Sequence, residues 1–266
     1  MKEIAEIING TLHAGTPVEI TEYSIDSRSV VDPAHTLFFA LKGNNHNAHG
    51  YIHTLYADGV RAFVISEFRD SFRQLAEANF IIVPDVLAAL QLLAAYHRQQ
   101  VQAEVIGITG SNGKTVVKEW LYQLLANDYF VYRSPRSYNS QVGVPLSLLG
   151  IAPKADIAII EAGISQKGEM QRLQQMIRPN MGIFTPLGDA HAENFSSQQE
   201  KLAEKALLFS SCKWIIGQDG EALDFIKTQV PPTTSFLIWG ENHTANVQVK
   251  TLNVNSIHRE VEVTYQ

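Results

Sequence analysis

The chain has almost no cysteine, no long apolar run and no concentration of basic residues, and each lack closes off a class of function. One cysteine in 266 residues, Cys212, cannot make an internal disulfide, and its apolar neighbours mark it as a packed thiol. No apolar stretch approaches the roughly 20 residues of a membrane span. Met1-Lys2-Glu3-Ile4 opens without a hydrophobic signal segment. With a formal net charge of -6 and no cluster of Lys or Arg, the chain offers nucleic acid no binding face. A cytoplasmic enzyme is the class left standing. Its length exceeds one average domain, so two compact units are expected.

What is present is a glycine-rich turn, Gly107-Ile-Thr-Gly-Ser-Asn-Gly-Lys-Thr115. It follows a short β-type run, Val105 to Ile108, and precedes residues 116–121, whose apolar spacing is that of a buried helix. Strand, glycine loop and helix in that order make a cradle for a polyphosphate. Gly110 and Gly113 permit backbone angles closed to other residues and keep side chains out of the anion's way. Unpaired amides at the helix start, with the helix dipole, favour negative charge. Lys114 would reach the terminal phosphates and the Thr115 hydroxyl would ligate Mg²⁺, with Ser111 and Asn112 completing the loop. The spacing is a variant of the usual P-loop: five residues separate Gly107 from the Gly-Lys pair, and two separate Gly110 from it. The flanking elements favour nucleotide binding over an incidental glycine turn.

Three regions follow along the chain. Residues 1–84 mix short strands with a short amphipathic helix, and Thr36 to Leu41 reads as a buried strand. Pro84 stops a strand ending at Val83, and the spacing of Val86, Leu90 and Leu93 predicts a helix over 85–103 that links two domains. From 105 to about 240, strands and helices alternate, which predicts an α/β domain (85–266 with the linking helix) whose mostly parallel sheet is flanked by helices. Strands are expected at 105–109, 130–133, 157–160, 182–185, 214–216 and 236–239, and helices near 114–126, 168–177, 198–210 and 220–228. Residues 260–266 alternate like a further strand.

In such sheets ligands sit beyond the carboxyl ends of the strands. Glu161 emerges there from Ile157 to Ile160, where a carboxylate could hold Mg²⁺ or cap a nearby loop. His191 follows the fourth strand, although most loop histidines merely face solvent. Lys205 lies mid-helix among Leu202, Ala206 and Leu207, a place where a lysine ordinarily reaches for water.

The ordered set Asp26-Ser27-Arg28, Leu37 to Gly43, Thr109 to Thr115, Asn139 with Gly143-Val144-Pro145-Leu146, Glu161-Ala162-Gly163 with Gly168-Glu169, and His191 with Lys205 resembles the Mur ligases, ATP-dependent amide-forming enzymes of peptidoglycan assembly. The likeness spans the first two of the family's three domains and is strongest to the subtype that joins D-alanyl-D-alanine to UDP-N-acetylmuramoyl-tripeptide. It implies a small α/β UDP-sugar-binding domain at 1–84, holding the substrate through Ser27, Arg28 and His49. It implies an ATP site at Gly110 to Thr115, Asn139 near the γ-phosphate, and Thr115, Glu161, His191 and Lys205 around two Mg²⁺ ions. In the family the lysine matched by Lys205 is carried as a carbamate formed with CO₂, an anion in place of a cation. The implied chemistry is activation of the tripeptide carboxylate as an acyl phosphate, followed by amine attack.

The chain departs from the family pattern at Pro186, usually Asn, at Leu207, usually Glu, and at Ala48, usually Gly. Those substitutions keep in view a non-catalytic or regulatory nucleotide-sugar-binding module, beside another subtype such as the diamino-acid-adding ligase. The family's third domain is expected to be missing from a chain ending at Gln266, which suggests a fragment of a longer polypeptide, with an alanine racemase as a candidate fusion partner.

Overall fold

The computed structural model describes residues 1–43, 46–188, 194–243, 245–254 and 259–265. The chain divides into two compact units, Met1–Gln99 and Gln100–Gln266. The helix expected to link two domains falls almost wholly within the first unit, which therefore runs some fifteen residues past the sequence-based boundary at 84.

The first unit contains α1 (Lys2–Ile7), β1 (Thr11–His13), β2 (Glu22–Ser24), β3 (Thr36–Phe39), α2 (Ile52–Ala57), β4 (Ala62–Ile65), β5 (Asn79–Ile82) and α3 (Val86–Gln100). Its sheet has the order β1-β5-β4-β3-β2, parallel except for the β1–β5 pair. Strands buried on both faces explain why β4 is wholly apolar and β3 is apolar after Thr36, with every residue of both buried. Phe38, Phe63, Phe72 and Phe80 fill the core with Ile52 and Leu55 of α2. Phe80 stacks on Phe63 and Phe72 with ring centres 5.5 and 5.4 Å away, distances at which offset aromatic pairs attract beyond their burial.

The second unit alternates β6 (Glu104–Thr109), α4 (Lys114–Leu125), β7 (Val131–Arg133), α5 (Gly143–Leu149), β8 (Ile157–Glu161), α6 (Glu169–Ile177), β9 (Met181–Phe184), α7 (Gln198–Ala206), β10 (Trp214–Gln218), α8 (Glu221–Gln229) and β11 (Ser235–Gly240). A closing hairpin of β12 (Val247–Val254) and β13 (Arg259–Tyr265) completes it. The sheet order is β13-β12-β11-β10-β9-β6-β8-β7, parallel throughout except for that hairpin. Chain order reverses at β6, whose neighbours are β8 on one side and β9 on the other. In a parallel sheet this switch point opens a crevice at the carboxyl ends of the strands, and here the glycine loop lies in it.

Val117, Leu121 and Tyr122 of α4 pack on Ile106, Ile108, Ile159 and Ile183, which anchors the helix that carries the loop. Cys212 is buried and its thiol is pushed up to about 12 by desolvation, as a packed and unreactive side chain should be. Among the described residues no helix is long and apolar enough to cross a membrane.

Candidate functional site

The loop between β6 and α4 takes its shape from two glycines. Gly110 has φ +148°, and a Cβ there would lie 2.0 Å from Thr185 Oγ1, so only glycine lets the loop lie against the end of β9. Gly113 has φ +82° at the N-cap of α4, and a Cβ there would meet nothing within 4 Å. The outer side of the turn is therefore open, and the first amides of α4 have no partner within the helix. On its inner side the loop is pinned, since Ser111 and Asn112 donate their backbone N–H to Pro186 O at 3.1 and 3.3 Å.

Two lysines meet on one carbonyl at the base of this loop. Lys114 Nζ donates to Gly110 O at 3.0 Å and to Ser111 O at 3.1 Å, and Lys205 Nζ donates to Gly110 O at 2.9 Å. Lys205, 3 % exposed, arrives from α7 and is pushed down to about 7, first by desolvation and then by the charges of Lys114 and Lys201. Lys114 is lowered too, chiefly by desolvation, while Glu161 opposes the shift. A third lysine, Lys201, is also buried on α7 and donates to Gly188 O at 2.7 Å.

At the end of β8, Glu161 gathers the remaining expected residues. Its Oε2 accepts from Thr115 Oγ1 at 2.9 Å, and its Oε1 accepts from Asn139 Nδ2 at 2.7 Å. Thr115, Asn139 and Glu161 thus come together from α4, the loop before α5 and β8. The donor set of hydroxyl and carboxylate oxygens is hard and small, the kind that suits Mg²⁺ rather than a soft transition metal. A cleft of about 210 Å³ beside it is lined by Gly110, Ser111, Lys114, Asn139, Glu169 and Lys205, among others. His191 lies outside the described residues.

Sequence reasoning missed two residues of this site. Lys118 is fully buried beside Glu161, and its one signal was a place one turn after Lys114 among apolar neighbours. Glu169, noted only within a motif, accepts the Ser165 and Gln166 amides at 2.6 and 2.9 Å and so shapes the cleft wall.

A second cavity, of about 480 Å³, lies wholly in the first unit and is lined by Ile25, Asp26, Ser27, Arg28, His46 and Tyr51. Asp26 accepts from Arg28 at 2.9 and 2.8 Å, and that hydrogen bonding holds its carboxyl at about 2. Arg28 is 87 % exposed, so this ion pair adds little to stability and leaves the guanidinium accessible. The rings of His46 and Tyr51 stack with centres 5.5 Å apart. His49, expected at the substrate, is not among the lining residues. It is 1 % exposed, its Nδ1 lies 2.8 Å from Asn47 Oδ1 and its Nε2 accepts the Ser66 amide at 3.0 Å. Both ring nitrogens are spent inside the fold, and burial lowers the histidine's pKa. The structure gives this histidine the work of joining the 47–49 turn to the end of β4.

Residues 108–266 match the Mur ligase middle domain. The chain belongs to the Mur ligase family. Among curated relatives, the UDP-N-acetylmuramoyl-tripeptide--D-alanyl-D-alanine ligase of Bacillus subtilis is 31% identical over 207 residues, covering 78% of this Mur ligase chain and 45% of the relative. The enzyme of the same name from Escherichia coli is 32% identical, covering 79% and 45%. Among solved structures, MurF from Acinetobacter baumannii superposes with a TM-score of 0.83 at 24% identity, covering 94% of this chain and 55% of that one. MurF from Thermotoga maritima, solved in complex with ADP, superposes at 0.76 and 24% identity, covering 91% and 55%. These two likenesses are of fold. This Mur ligase chain spans about half the length of the relatives it matches.

Proposed function

We propose that the chain supplies the substrate-binding and nucleotide-binding parts of an ATP-dependent ligase that joins D-alanyl-D-alanine to UDP-N-acetylmuramoyl-tripeptide. The observation that carries this reading is the junction of Lys114, Thr115, Asn139 and Glu161 at the switch point of the sheet, in a chain whose curated relatives bear that activity in their names. Gly110 to Thr115 would hold the polyphosphate, with Lys114 exchanging two carbonyl partners for phosphate oxygens. Thr115, Glu161 and a carbamylated Lys205 would hold Mg²⁺. When bound, Mg²⁺ offsets the repulsion between a carboxylate and a phosphate that must approach each other. Asn139, fixed by Glu161, would orient a γ-phosphate oxygen. The tripeptide carboxylate oxygen would attack the γ-phosphorus as ADP leaves, and the neutral dipeptide amine would then attack the acyl carbon, the new C–N bond replacing the C–O bond to phosphate as the nitrogen gives up one proton with the departing phosphate. Phosphate release that requires both the muramoyl tripeptide and D-alanyl-D-alanine tests the reading in the full gene product. Release with neither acceptor required would contradict it.

The sugar-nucleotide end is assigned to the cavity beside Arg28, with a cation for the diphosphate and the His46–Tyr51 ring pair beside it. Arg28→Ala should weaken binding of UDP-N-acetylmuramoyl-tripeptide by about 1.5 to 3 kcal/mol, the worth of a charge-assisted hydrogen bond. ADP binding should stay as it was. Calorimetry on the two ligands reads both, and an equal loss for each would break the assignment of separate sites.

The chemistry at Lys205 follows from its burial. A neutral amine attacks the carbon of CO₂, an N–C bond forms and one proton leaves, giving a carbamate anion. At a pKa of about 7, instead of 10.5, roughly half of Lys205 is the free amine at neutral pH. In ¹³C-bicarbonate a carbamate signal should grow between pH 6 and 8 and vanish in Lys205→Met. The same depression has a stability sign. Between pH 7 and 10.5 the unfolded chain binds a proton that the folded chain does not, so unfolding free energy rises with pH across that window relative to Lys205→Met. No signal at pH 8 would remove the carbamate from the scheme.

A further inference from the structure

Lys118 is a lysine with no exposed surface, one turn beyond Lys114 on α4, and the scheme above gives it no part. Its Nζ donates to Ser134 O at 2.9 Å and to Arg136 O, and lies 3.7 Å from Glu161 Oε2 and 3.4 Å from Glu119 Oε1. The same strip of chain is tied to β8 from its other side. Ser134 N donates to Ile159 O at 2.9 Å, and Glu161 N donates to Ser134 Oγ at 3.2 Å. Five residues after Ser134 this loop delivers Asn139, whose amide holds the remaining oxygen of Glu161. One ammonium therefore bridges the helix carrying Thr115, the loop carrying Asn139 and the strand carrying Glu161.

A buried lysine is a costly way to fill space. Desolvating an ammonium and a carboxylate that is 1 % exposed costs several kcal/mol per ion, which their pairing and hydrogen bonds must offset. An apolar side chain of that length would pack α4 on the sheet as well. What it could not do is fix the direction of a carboxylate. Glu161 has about four lone-pair positions, and Thr115 and Asn139 take one on each oxygen. Lys118 draws on Oε2 from the helix side, and the remaining acceptor capacity is left for a cation.

We propose that Lys118 is a positioning residue that orients Glu161 and the 134–139 loop for the metal bound with the nucleotide. The inference rests on the nucleotide reading of this cleft. Supporting groups around metal ligands typically change metal affinity by about 10- to 100-fold when removed.

The test is calorimetric titration of ADP, with MgCl₂ and with EDTA, into the wild-type chain, Lys118→Met, Glu161→Gln and the double variant. In the wild type Mg²⁺ should raise ADP affinity. In Lys118→Met that gain should shrink by about tenfold or more, while affinity in EDTA stays within about twofold because the glycine loop is untouched. The double variant should show the same Mg²⁺ gain as Glu161→Gln alone, because Lys118 acts through that carboxylate. Backbone amide exchange at 134–139 should quicken in Lys118→Met. A full Mg²⁺ gain in Lys118→Met, or a smaller gain in the double variant than in Glu161→Gln, would overturn the assignment. If Lys118→Met does not fold, Lys118→Gln, which keeps a donor for the carbonyls of Ser134 and Arg136 but no charge facing Glu161, takes its place: the same tenfold loss of the Mg²⁺ gain is expected, and a full gain would overturn the assignment. A wild type that binds no ADP in either buffer would fell the nucleotide reading and the role of Lys118 with it. A responsive wild type beside an equally responsive Lys118→Met would fell only the latter.

Discussion

Lys114→Ala should lower affinity for Mg·ATP by about 100-fold or more and leave the fold intact. In the structure the ammonium is already drawn out of water, with its pKa lowered chiefly by desolvation, and is held by two neutral carbonyls of its own loop. The cost of burying it is thus met before any ligand arrives. Exchange of those carbonyls for phosphate oxygens converts neutral acceptors into anionic ones, and each charge-assisted bond is worth about 1.5 to 3 kcal/mol. Two such bonds account for at least two orders of magnitude, and turnover should fall further because charge grows on the transferring group. Removing the ammonium leaves two loop carbonyls beside an open cleft, so the melting temperature should move little. Calorimetry with Mg·ATP and a thermal melt check both halves. Undiminished affinity in Lys114→Ala would mean that phosphate is held elsewhere.

Glu161→Ala should produce the largest loss of stability of any single change at the site. The carboxylate is 1 % exposed and faces a lysine with no exposed surface. Deleting one member of a buried pair strands the other, at a typical cost of about 3 to 5 kcal/mol. Glu119 stays 3.4 Å from Lys118, and the carbonyls of Ser134 and Arg136 keep their bonds, which places the expectation at the low end of that range. In a unit of this size each kcal/mol is worth roughly 2 to 4 °C, so the transition of the second unit should fall by at least about 6 °C. Glu161→Gln keeps the shape and can still accept from Thr115 or Asn139, so it should melt nearer the wild type while losing the response to Mg²⁺ equally. Equal melting temperatures for wild type and Glu161→Ala would show that Lys118 and Glu161 are not coupled in the fold.

The glycine loop was legible because three local patterns agree there: an apolar run, two glycines with positive φ and a helix start at Lys114. Glu161 was legible as an acid at a strand end, although its buried partner Lys118 was not. α5 escaped notice because Pro145 sits in its seven residues and reads as a breaker. Within the first turn a missing N–H costs nothing, since those amides have no helical partner. Lys118 escaped for a different reason, and Lys205 was reached only through the family resemblance. A lysine pattern is silent about burial, which is decided by what packs against the helix from distant parts of the chain. Gly110 meets Lys205 across a separation of 95 residues, and no local window contains that contact. His49 shows the converse. Its motif was legible, but the fold turns the ring inward to Asn47 and Ser66 and leaves His46 and Tyr51 beside Arg28.

Every role proposed for Lys114, Thr115 and Glu161 requires a polyphosphate site at the carboxyl end of β6. A crystal of the chain grown with Mg·ADP tests this most directly. The diphosphate should lie against the outer side of the turn at 112–115, with Lys114 Nζ swung from Gly110 O and Ser111 O onto phosphate oxygen and the metal bonded to Thr115 Oγ1. A diphosphate seated anywhere else, with Lys114 still folded onto its own loop, would contradict it.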